Sequence, residues 1–227
     1  MFEPVAQQWA LYFQMQRYFR FSDYYEQDAS LLRYWRGNYY EYEDGCYQEL
    51  PLDDLKTKLI SFLHHPGPAF TENSCQNVTR HLLADILENL KYTSRLMVPS
   101  RKEMPCWLLE DDEIPISGPV IAMADGLLSL EEGLMGEEEP LHPFSANYFT
   151  TIKLPYEYNH EASCPKWLTF LQEIFNEDSG RMALLQEWFG YCLLPDTSLH
   201  KFLLAVGPGA NGKSVVFRVL TELLGRE

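Results

Sequence analysis

The chain has 227 residues, 46% apolar and 22% charged, enough for one large or two small domains with a buried core and outside the composition range of disordered sequences. Its formal charge of −15 argues against a DNA-tracking surface, which is normally basic. No apolar run approaches the ~18 residues of a membrane span, and the first residues lack the basic start and unbroken apolar stretch of a secretory leader, so a cytoplasmic protein without membrane association is expected.

Residues 4–20 carry Val5, Trp9, Tyr12, Phe13 and Phe19 at mostly helical spacing behind Pro4, which predicts an amphipathic packing helix. From Tyr34 to Leu50 two β-favouring runs flank Asp44-Gly45, a pair suited to the positive φ of a two-residue hairpin turn, so Tyr42 should face Tyr47. An alternative use of Arg33, Trp35, Arg36 and the tyrosines is a base-stacking platform for single strands. The interleaved Glu41, Glu43 and Asp44 favour cross-strand aromatic packing instead.

Pro51-Leu52-Asp53 then opens a helix with Leu55, Leu59, Ile60 and Leu63 on one face, closing near His65-Pro66-Gly67-Pro68. A second helix is predicted from about Gln76 to Leu96, carrying Val78, Leu82, Ile86 and Leu90. Two helices beside a hairpin allow a winged-helix-like unit on topological analogy alone. Between Pro99 and Tyr158 the apolar runs shorten (Cys106 to Leu109, Val120 to Ala124, Leu127 to Leu130, Tyr148 to Leu154) and are punctuated by Pro and Gly, as short strands require. The acidic clusters at Glu110 to Glu113 and Glu137 to Glu139 read as solvated loops rather than metal carboxylates. Helices return at Pro165, with Trp167, Phe170, Leu171, Ile174 and Phe175 in phase, and again from about Gly180 to Leu194 before Pro195. The five cysteines, Cys46, Cys75, Cys106, Cys164 and Cys192, are scattered and include no C-x-x-C pair, so reduced packed thiols are expected; a metal site would have to recruit His160 with Cys164, or His64 with His65.

The most specific signal comes last. Phe202 to Val206 is a short apolar run of the kind that forms a buried parallel strand, and it leads into Gly207-Pro208-Gly209-Ala210-Asn211-Gly212-Lys213-Ser214, a match to G-x-x-x-x-G-K-[ST]. Val215, Val219 and Leu223 follow on one helical face, closed by Gly225 in a capping position. In such a loop the glycines bring backbone N–H groups around phosphate oxygens at a helix N-terminus. Lys213 would neutralise the β- and γ-phosphates and the Ser214 hydroxyl would ligate Mg²⁺, with residues Gly207 through Val215 forming the site for ATP or another NTP.

The loop alone does not choose among ATPases, GTPases and kinases. Its neighbourhood narrows the choice: CPKWLTFLQEIFNEDSG and ALLQEWFGYCLLPDTSLHKFLLAVGPGANGKS, with Asn211 ahead of the Gly-Lys-Ser and Gly190-Tyr191 ahead of the phosphate strand, resemble the superfamily 3 helicases of the phage/plasmid and poxvirus primase-helicase branch. The resemblance extends upstream through WRGNYYEYEDGCYQEL, DGLLSL and LPYEYNHEASCP, covering most of the chain, although Asp125-Gly126-Leu127 stands where many relatives have Asn-Gly-Leu. It implies an α+β N-terminal region of hairpin, helices, short strands and helical connector, followed by the first strand, loop and helix of an α/β, AAA+-like ATPase domain. The expected division is a helical segment over 1–36, an α+β domain over 37–160, a connector over 161–200 and the start of the motor over 201–227, cut off after the phosphate loop. It further implies that the intact parent is an NTP-hydrolysing replicative DNA helicase, assembled as a homo-oligomeric, hexameric ring. Single-stranded DNA would be gripped through elements downstream of Glu227. Two other readings are a non-catalytic remnant or interaction module, and a small-molecule kinase, although such kinases usually carry the loop near the N-terminus.

Overall fold

The computed structural model describes residues 31–64, 78–92, 96–136, 139–194, 198–207, 209 and 211–225. The helix expected over residues 4–20 and the turn at His65 to Pro68 lie outside the described residues, as does Cys75. The fold is mixed α/β, with several helices and three small antiparallel sheets, and it divides into two compact units that each draw on two stretches of chain. One comprises Met1–Pro115 and Pro143–Ile152, the other Ile116–His142 and Lys153–Glu227.

The first unit is built on a three-stranded meander of β1 (Leu32–Trp35), β2 (Asn38–Glu43) and β3 (Cys46–Leu50). Both turns carry a non-glycine followed by a glycine at positive φ, Arg36-Gly37 at 48° and 98° and Asp44-Gly45 at 52° and 89°, the conformation whose twist suits adjacent antiparallel strands. The second turn sets Tyr42 opposite Tyr47, as expected, with ring centroids 5.0 Å apart. The first turn, and with it β1, is an addition to the sequence reading, which took Trp35 and Arg36 into a single run. Both faces of this sheet are covered. On one, Leu32, Tyr39 and Leu50 pack against α1 (Leu52–His64) and α2 (Arg80–Lys91) through Leu55, Leu59, Ile86 and Leu90. On the other, Trp35, Tyr40, Tyr42 and Tyr47 surround Phe149 of β8 (Tyr148–Phe149), which pairs with β4 (Cys106–Trp107). These aromatic rings are buried, so they form the cross-strand packing and not a base-stacking platform.

Thr79 ends the ambiguity over the start of α2: its hydroxyl accepts from Leu82 N–H at 3.2 Å, so the helix begins at Arg80 rather than near Gln76, and Val78 packs from outside it. At the other end α2 stops at Lys91, and Leu96 instead gives its carbonyl to Tyr34 N–H at 2.8 Å, adding residues 96–98 to the edge of β1. The short-strand pattern after Pro99 holds, and Glu110, Asp112 and Glu113 are exposed as a solvated loop should be.

In the second unit β5 (Val120–Ala122), β6 (Leu127–Ser129) and β7 (Leu141–His142) form an antiparallel sheet. Gly126 sits in its tightest corner, where a Cβ would come within 2.5 Å of the His142 carbonyl oxygen. Asp125 Oδ1 accepts from Tyr158 N–H at 3.2 Å, a bond that an asparagine carbonyl could equally accept, so Asp-Gly-Leu preserves this turn. A short helix α3 (Leu130–Met135), capped by Ser129 and ended at Gly136 with φ 79°, had no expectation in the sequence. Helices α4 (Pro165–Phe175) and α5 (Ser179–Cys192) follow close to their predicted bounds, joined by Asn176 at φ 51° and by Asp178, whose Oδ1 accepts from Arg181 N–H at 3.1 Å. With α6 (Lys213–Leu224) they enclose a core of Leu171, Leu185 and Val216, into which Trp167, Phe170 and Phe189 pack.

Two expectations need correction here. Phe202 to Val206 is not a buried strand in this structure: only Leu203 packs into the helical core, while Phe202, Leu204 and Val206 are 81%, 72% and 83% exposed. An apolar run forms a strand only when another strand completes its hydrogen bonds, and none among the described residues does so. On α6 the buried residue is Val216, with Val219 and Leu223 half-buried beside it, whereas Val215 faces solvent. The helix therefore turns by one position from the face that the spacing suggested, because its partner is the α4–α5 pair.

Candidate phosphate-binding loop

The loop begins at Gly207 and ends where Gly212, at φ 80°, turns the chain into α6. This glycine is required twice over, since the positive φ strains any side chain and a Cβ would meet Phe170 and Ile174 of α4 at 2.8 and 3.0 Å. No side chain caps α6, so the first-turn N–H groups at Lys213 and Ser214 point off the helix end at the positive pole of its dipole. Ser214 is exposed in that first turn.

Lys213 folds back over the loop rather than out to solvent. Its Nζ donates to the Gly207 carbonyl oxygen at 3.0 Å and to Asn211 Oδ1 at 2.6 Å, which pins both ends of the loop to one ammonium group. Asn211 in turn lies directly against Gly207, where its Nδ2 occupies the space that a Cβ would need. Of the sequence-predicted residues, Gly207, Asn211, Gly212, Lys213 and Ser214 thus gather at the N-terminus of α6, and Val215 follows them on its exposed side; Gly209 is exposed, and Pro208 and Ala210 lie outside the described residues. The arrangement offers a helix terminus without a side-chain cap, a cation that donates to neutral oxygens of the loop and an accessible hydroxyl. A phosphate chain could replace neutral oxygens on Lys213 with charge-assisted bonds, and the hydroxyl is of the hard oxygen type that Mg²⁺ prefers.

Beside the loop the same unit holds a cavity of about 600 Å³ that the sequence did not disclose. It lies between the end of α4, the first half of α5, residues 203–207 and α6, with Asn211 and Lys213 on its wall. No local pattern could have marked it, because its walls come from separated segments and each segment reads simply as a helix or an apolar run. Elsewhere, the described residues include no group of three His, Cys, Asp or Glu side chains placed to hold a metal ion, and no helix among them is long and apolar enough to cross a membrane.

No curated protein matches the chain. The family model described as D5 N terminal like matches residues 20–176, which spans the meander, the small sheet of the second unit and α4, and ends before the glycine loop. That match covers more than half of the sequence, and the chain belongs to the D5 N terminal like family.

Proposed function

We propose that the chain is the N-terminal and phosphate-loop portion of an ATP-dependent replicative primase-helicase of the phage, prophage or plasmid type. The observation that carries the proposal is the Gly207–Ser214 loop at the start of α6, with Lys213 drawn over it, in a chain whose residues 20–176 are D5 N terminal like. Family membership supports the primase-helicase context; the loop supports NTP as the ligand. In this reading Lys213 binds the β- and γ-phosphates, Ser214 gives its hydroxyl to Mg²⁺, and backbone N–H groups of the loop within the Gly207 to Val215 site surround the phosphate oxygens. Residues 161–200 act as a helical connector and 201–227 as the opening of the ATPase domain, while the upstream region contributes to assembly of a homo-oligomeric ring around single-stranded DNA.

Equilibrium binding of Mg·ATP to the 227-residue chain tests the reading. Lys213→Ala should weaken binding by at least about tenfold, the order expected when a charge-assisted contact to phosphate is lost, without changing the circular dichroism of the fold. Ser214→Ala should reduce the gain in affinity that Mg²⁺ provides. Binding that is indifferent to Lys213 would remove the phosphate-site assignment.

A further inference from the structure

The cavity beside the loop asks for an occupant of definite chemistry. It shares Asn211 and Lys213 with the loop, so a ligand anchored there by its phosphates would be continuous with it. Its remaining wall is different in kind: the run at 203–206 with Phe175, Leu184 and Phe217 supplies apolar surface, and Asn176 and Arg181 supply polar groups at the junction of α4 and α5. A volume of about 600 Å³ falls within the ~300–1,000 Å³ of sites that bury small organic ligands, and apolar walls with a few fixed polar groups are how such sites orient them.

The polar groups are placed by the local fold rather than by chance. Asn176 takes the left-handed conformation that ends α4, with φ 51°, and Asp178 caps α5 through Oδ1 while its Oδ2 lies 3.2 Å from Arg181 Nε. One carboxylate therefore starts the helix and steadies the guanidinium at the cavity wall. A guanidinium plane stacks well on a flat aromatic ring, and an amide presents both donor and acceptor to a heterocycle edge.

We infer that this cavity is the nucleoside subsite of the phosphate loop, taking the base and ribose of the nucleotide between the α4–α5 junction and α6, with Arg181 stacking on the base and Asn176 reading its edge. The inference rests on the phosphate-site reading above. It assigns a role to α4 and α5 beyond packing: the connector helices recognise the nucleotide.

Mg·tripolyphosphate and Mg·ATP titrated separately into the full chain distinguish the two levels of the argument. ATP should bind at least about tenfold more tightly than tripolyphosphate, since only ATP brings a base and ribose. Leu184→Trp, at a position 60% exposed and so able to accept a larger side chain, should fill the cavity and bring ATP to within about twofold of tripolyphosphate. Arg181→Gln should weaken ATP severalfold more than it weakens tripolyphosphate. Equal binding of the two probes to the native chain would overturn the nucleoside subsite while leaving the phosphate site standing, as would a Leu184→Trp variant that keeps the full preference for ATP. Failure of both probes to bind would overturn the phosphate site and this subsite together.

Discussion

Arg33 lies only 5% exposed on the aromatic face of the meander, where a guanidinium needs several acceptors to offset its lost hydration. One of them is the Tyr47 hydroxyl, which accepts from Arg33 Nε at 3.1 Å and donates onward to the Ala146 carbonyl at 2.5 Å. Tyr47→Phe removes both bonds and leaves the buried cation short of an acceptor, so it should cost about 1–3 kcal/mol in urea unfolding. The same residue makes a pH prediction. Burial pushes the Tyr47 hydroxyl above its ordinary value of 10.0, against the smaller opposing effect of Arg33, and burial raises Tyr39 and Tyr148 likewise. A raised folded pKa means that the unfolded chain releases the proton first, so the contribution of these tyrosines is constant below about pH 10 and is lost as the pH rises beyond it. Urea midpoints measured from about pH 8 to about pH 11 should show that decline, and Tyr47→Phe should make it shallower.

At the level of elements, what could be read in advance was what the chain decides locally. Asp44-Gly45 announced its hairpin because few other residue pairs accept two successive positive φ values, and Pro165 and Pro195 bracketed α4 and α5 because proline lacks an N–H for the helix ladder. Arg36-Gly37 makes the same kind of turn but was hidden inside an aromatic run whose periodicity continues on both sides of it. The start of α2 was misplaced because Val78 falls in phase with Leu82 and Ile86, although Thr79 sets the boundary. Thr79→Ala should therefore lower stability by about 1 kcal/mol while Thr79→Asp stays close to the parent, as thermal unfolding of the two variants would register. The phosphate loop was legible by the same logic, since its residues are consecutive. The cavity beside it was not, because Asn176, Arg181 and Phe217 become neighbours only through tertiary packing, and the apolar run at 202–206 reveals its need for a strand partner without naming one.

For the whole molecule, the charge of −15 sets the sign of every long-range interaction with a polyanion. The 227-residue chain should bind single-stranded DNA weakly and with little salt response, and Trp35, Tyr39, Tyr40, Tyr42 and Tyr47, the rings a stacking platform would use, are already committed to the interior. Submicromolar binding at physiological salt with a steep log–log salt slope would contradict this. The routing of the chain adds a constraint of another kind. Residues 116–142 belong to the second unit, yet the first unit is finished only by the stretch from Pro143 to Ile152, which brings in Phe149 for its aromatic core. During translation the meander and its helices emerge early but cannot close that core until Phe149 has left the ribosome, when part of the second unit is already outside. The two units must consequently mature in overlapping time, and a gene fusion joined between residues 115 and 116 would inherit a first unit without the strand that seals it.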